Sequence, residues 1–78
     1  MNRAEIEQKV LDLIREQVGE EEIDLTADLQ DEYEIDSIAT LDFIMSVEDE
    51  FDIQFDDEDL EAMKTVEDVI NRVEELLE

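Results

Sequence analysis

The stretch Asp36-Ser37-Ile38-Ala39-Thr40-Leu41-Asp42-Phe43-Ile44-Met45-Ser46-Val47-Glu48-Asp49-Glu50-Phe51 decides how the rest of this 78-residue chain is read. Aspartate and serine are favoured where helices begin, because a short side-chain oxygen accepts an amide hydrogen of the first turn. No proline or glycine interrupts residues 38–51, and the spacing predicts a helix from the Asp-Ser pair to about Phe51. Leu41, Phe43, Ile44, Met45, Val47 and Phe51 cover too wide an arc for a one-sided surface helix, so it is expected to pack against several neighbours. The remaining arc holds Ala39, Asp42, Ser46 and Asp49, a narrow exposed stripe that begins beside Ser37.

Upstream, Ile6, Val10, Leu13, Ile14 and Val18 recur at helical intervals over residues 2–18, and Gly19 supplies a stop. Residues 20–36 show no sustained period but keep Ile23, Leu25, Leu29, Tyr33 and Ile35, the pattern of a long loop pinned to a core. Downstream, Asp56-Asp57-Glu58-Asp59 places carboxylates where they suit the positive end of a short helix, with Leu60 and Met63 as inward anchors. Thr65 followed by Asp68 fits a capping box, and Val66, Val69, Ile70, Val73 and Leu77 mark a final amphipathic helix. The fold class is therefore all-α: a small helical bundle of three main helices plus one short helix, with a long loop between the first and second. Residues 1–78 are expected to form a single domain.

Composition narrows the chemistry. There is no histidine and no cysteine, which removes the commonest general base, thiolate catalysis and the commonest transition-metal ligands. Acidic side chains number 28 against 5 basic ones, for a net charge of −23. Because the basic residues are Arg3, Lys9, Arg15, Lys64 and Arg72, nothing between positions 16 and 63 is positive. Such a field repels nucleic acid and anionic membranes and attracts basic protein surfaces. Mutual repulsion within residues 20–22 and 56–61 predicts a fold that salt and divalent ions strengthen. No stretch is apolar and long enough to cross a bilayer, and the amino terminus lacks the apolar core of a signal peptide, so a cytoplasmic, monomeric protein is expected.

Without a base or a nearby cation, Ser37 cannot be a conventional triad nucleophile; its hydroxyl is better suited to be acted upon. In order and spacing the whole chain resembles the acyl carrier proteins. The likeness is carried by Asp36-Ser37-Ile38, by Ile44-Met45-Ser46-Val47-Glu48-Asp49-Glu50-Phe51, by Asp57-Glu58 and by Thr65-Val66. The resemblance implies that a phosphopantetheinyl transferase joins 4'-phosphopantetheine, taken from coenzyme A, to the Ser37 oxygen. It also implies that Asp36 completes the motif and caps the helix. A carrier of acyl thioesters needs no catalytic residue and no metal of its own. By the same resemblance Asp36, Ile38, Asp42, Met45, Glu48 and Asp49 form the docking surface for acyl-transferring or acyl-modifying enzymes with basic patches, in fatty acid, polyketide or related acyl metabolism.

This chain also departs from the family pattern. Glu34 stands where a glycine is usual, Ile38 replaces leucine, Ala39 replaces an acidic residue and Phe43 replaces an aliphatic one, which points to a specialised carrier with less room for long cargo. Two other classes account for part of the sequence. A calcium-binding loop is suggested by residues 52–59, although it lacks the glycine at its sixth position and has Met63 where the closing glutamate belongs. An acidic protein that imitates nucleic acid is suggested by charge alone.

Overall fold

Helix α1 (Arg3–Val18) begins where Asn2 Oδ1 accepts the Glu5 N–H at 2.9 Å and ends at Gly19, whose φ of 73° lets its N–H reach Arg15 O. That left-handed turn is inexpensive for glycine, which has no Cβ to clash. In the computed structural model, which describes residues 2–19, 22–32 and 36–77, four further helices are present: α2 (Leu29–Glu32), α3 (Ser37–Phe51), α4 (Asp57–Ala62) and α5 (Val66–Leu77). The all-α bundle of three main helices is thus present. One turn of helix, α2, lies inside the segment read as loop. The approach residues Tyr33, Glu34 and Ile35 lie outside the described residues.

Three helices share one core. Ile6, Val10 and Ile14 of α1 meet Phe43, Ile44, Val47 and Phe51 of α3 and Val66, Val69, Ile70 and Val73 of α5, with Leu29 and Met63 closing the ends. Their spacing explains the architecture: i, i+4, i+8 on α1 and i, i+3, i+4, i+7 on α5 each place one stripe toward the same axis. Among the described residues, no charged or polar one is buried with them. Outside this core, ion pairs tie α1 to its neighbours: Lys9 to Glu50 of α3 at 2.9 Å and Arg3 to Glu74 of α5 at 3.7 Å.

Short polar ties hold the connections. The Leu29 N–H donates to Lys64 O and the Glu67 N–H to Leu25 O, both at 2.9 Å, and Asp28 bridges to Thr65 in antiparallel fashion. Asp28 Oδ1 also accepts from the Gln30 and Asp31 amides and so starts α2. A reciprocal capping box between Asp56 and Asp59 starts α4, and another between Thr65 and Asp68 precedes α5. Among the described residues no helix is long and apolar enough to cross a membrane.

Leu41 and Met45, expected to pack with the rest of α3, do not join the core: they are 48% and 62% exposed, and Ile38 is 78% exposed. The helix buries one face and shows solvent a second apolar stripe, at positions i, i+3 and i+7, on the opposite side.

Candidate functional site

Ser37 is the first residue of α3 and is exposed. The capping work at this end is done by its neighbour. Asp36 is extended (φ −81°, ψ −179°), and its Oδ1 accepts the Ala39 N–H at 2.8 Å. The backbone carbonyl of Asp36 also takes the Thr40 N–H at 3.0 Å and the Thr40 hydroxyl at 2.9 Å. The start of the helix is therefore fixed by groups other than the Ser37 hydroxyl, which is exposed at the first position of α3. The helix dipole places partial positive charge at this end, favourable to a phosphodiester on the Ser37 oxygen. An exposed hydroxyl at a helix start, with its cap already satisfied, fits a covalently attached phosphopantetheine.

Beside it lies an open groove of about 500 Å³ lined by Gln17 of α1 and by Asp36, Ile38, Leu41, Asp42 and Met45. Its lining is mostly apolar, from Ile38, Leu41 and Met45, with the carboxylates of Asp36 and Asp42 beside them. Asp42 and Asp49 are exposed, and α3 contains no lysine or arginine to neutralise them. From the sequence alone Leu41 reads as core, and Gln17 is not singled out. The signal for Leu41 was available in its helical spacing from Ile38 and Met45; nothing in the sequence pointed to Gln17.

Glu48 sits differently from its acidic neighbours. It is half-buried, and its Oε2 accepts the Phe55 N–H at 2.7 Å, which ties the segment after α3 back onto the helix. Asp52, at φ 55°, turns the chain there and donates its N–H to Glu48 O. Of the carboxylates suggested for calcium, Asp56 and Asp59 receive each other's backbone amides, and Asp59 Oδ1 lies 2.7 Å from Arg72 Nε. Burial pushes the Asp59 carboxyl up, but the Asp56 N–H and the Arg72 guanidinium together outweigh it, and its pKa lies below the usual carboxylate value. In the loop, Asp24 is lowered by the backbone and hydroxyl hydrogens of Thr26.

A second groove, of about 300 Å³, opens one turn along α3 from Ser37, where Thr40 faces Leu29 of α2 and Leu60, Glu61 and Met63 of the α4 region.

Comparison with known proteins agrees with this geometry. Residues 8–73 match the family described as the phosphopantetheine attachment site. A relative described as an acyl carrier protein, from Petrotoga mobilis, is 37% identical over 79 aligned positions, covering 99% of this chain and 93% of that protein. A solved structure of the acyl carrier protein from Enterococcus faecalis superposes with a TM-score of 0.82 at 28% identity, covering 97% of this chain and 99% of the other.

Proposed function

The chain belongs to the acyl carrier proteins, and on that premise we propose that Ser37 is the residue that bears its 4'-phosphopantetheine arm. As a member of that family it carries acyl groups on phosphopantetheine and has no intrinsic catalysis. The observation that carries the assignment to Ser37 is its exposure at the first position of α3 while Asp36 makes the cap. The prosthetic group supplies a terminal thiol that holds the acyl group as an activated thioester. The protein contributes position: a capped helix start fixes where the arm is rooted, and the docking groove sets how far that root lies from a partner's active site.

We read residues 1–78 as one carrier domain whose docking surface is centred on Ile38, Leu41, Asp42 and Met45, with Asp36 and Asp49 at its edges. Glu48 belongs to the support of this surface through Phe55. A phosphopantetheinyl transferase and acyl-handling enzymes are the partners that membership implies. Phe43, fully packed in the core, together with Ala39 in place of a charge, supports service in a specialised acyl pathway with shorter cargo. Efficient loading with long chains, together with replacement of a main fatty acid carrier in cells, would contradict that specialisation.

Intact-mass analysis tests the attachment. Incubation with coenzyme A and a broad-specificity transferase should add one phosphopantetheinyl group to the wild-type chain and none to Ser37→Ala. A wild-type chain left unmodified by a transferase active on a control carrier, or a Ser37→Ala variant that still gains the group, contradicts the proposal. An acidic decoy for a nucleic-acid-binding groove would keep its activity after the same substitution.

A further inference from the structure

Helix α4 is held to the bundle in a way the other helices are not. It buries none of its own residues, whereas α1 buries three and α3 and α5 four each. Asp57, Glu58, Asp59 and Glu61 lie on it, Asp56 caps it, and it has no basic residue. Close carboxylates repel one another, and shallow burial gives little to offset that repulsion.

One cation of α5 opposes it. Arg72 of α5 places Nε 2.7 Å from Asp59 Oδ1, an ion-pair contact in which the N–H is not aligned for a hydrogen bond, and its NH1 donates to Glu75 Oε2 at 2.7 Å. Both partners are sheltered, the Arg72 side chain at 33% exposure and Asp59 at 13%, so the pair is screened less than a surface contact. The Phe55-to-Glu48 hydrogen bond and the buried Met63 secure the segments on either side of α4.

We propose that the Arg72–Asp59 contact is a latch that keeps α4 closed on the bundle, and that α4 opens as a unit, with α1, α3 and α5 still folded, when this contact is released. Closed, α4 brings Leu60, Glu61 and Met63 against Thr40 and Leu29 and so forms one wall of the groove next to Ser37. Arg72 is thus a positioning residue for that wall. That the groove receives cargo rests on Ser37 being the root of the arm; the latch itself does not.

Native-state hydrogen exchange on the unmodified chain tests the latch independently of Ser37. The Leu60 and Met63 amides, which donate to Asp56 O and Asp59 O, should exchange faster than the core amides of Val10 and Ile70 and depend little on denaturant. Arg72→Gln should accelerate these α4 amides roughly tenfold, at least as much as any core amide, because the broken contact is one that the closed state alone makes. Arg72→Lys, which keeps the charge but not the planar fork, should fall in between. Asp59→Asn retains an oxygen for the Asp56 amide, so it removes the charge while preserving the cap and should reproduce the acceleration. Arg3→Gln, which removes a cation from a different contact, should leave α4 unchanged. The latch is overturned if α4 amides exchange only together with the core, if they are unmoved by Arg72→Gln, or if core amides accelerate while α4 does not.

Discussion

The two faces of α3 are built from the same kinds of apolar side chain and do opposite things. On one, Phe43, Ile44, Val47 and Phe51 are buried against α1 and α5. On the other, Ile38, Leu41 and Met45 lie in solvent between Asp36, Asp42 and Asp49. Hydrophobicity therefore does not decide which residues make the fold; the position of the neighbouring helices does. An exposed apolar stripe has no stabilising role in the free protein; under the function proposed above, a partner covers it.

The sharpest test of the contrast is truncation on each side. Phe43→Ala removes a fully buried ring and should cost about 3–5 kcal/mol, a large part of the roughly 5–15 kcal/mol available to a domain of ordinary stability. Leu41→Ala, two residues away, should cost less than about 1 kcal/mol while slowing transferase loading. Thermal melts and loading rates on the two variants separate the faces; equal losses of stability would break the distinction.

Charge reversal on the outer face gives an intermediate effect. Asp42→Lys combined with Asp49→Lys should reduce the low-salt rate of phosphopantetheine loading by roughly tenfold and flatten its salt dependence. Stability should hold or rise, since the substitutions relieve a net charge of −23. A fall in melting temperature matching the fall in loading would place these carboxylates in the fold rather than in recognition.

The smallest expected effect concerns α4, which buries none of its own residues. Because the folded pKa of Asp59 is lowered, its contribution to stability is complete above the unfolded value, near 3.8, and is lost as pH falls through the folded one. The stability difference between wild type and Asp59→Asn should be flat above about pH 5 and shrink below it. A difference that grows on acidification would mean that burial, rather than Arg72 and the Asp56 amide, governs this carboxyl.

What could be read from the sequence was set by how local each cause is. The ends of α1, the start of α3 and the entry to α5 depend on Asn2, Gly19, Asp36, Thr65 and Asp68, whose effects act within a few residues. Helix α2 was hidden because four residues are too few to show a period, and its position depends on Lys64 and Thr65, far along the chain. By spacing alone Leu41 and Met45 read as core, although the family resemblance placed Met45 on the docking surface, because apolar spacing reports a stripe and not whether anything packs on it. The hydrogen bond of Glu48 to a backbone amide seven residues away left no sign in the spacing. The Asp59–Arg72 contact joins two helices and left no local trace.

The division of α3 into a core face and a partner face is tested most directly by an NMR titration of the unmodified chain with a phosphopantetheinyl transferase. Shift and linewidth changes should gather at Ser37, Ile38, Leu41, Asp42, Met45 and Asp49, leaving the core amides of α1 and α5 unaffected. Binding that perturbs α5 or the outer surface of α1 while sparing these residues would contradict the account.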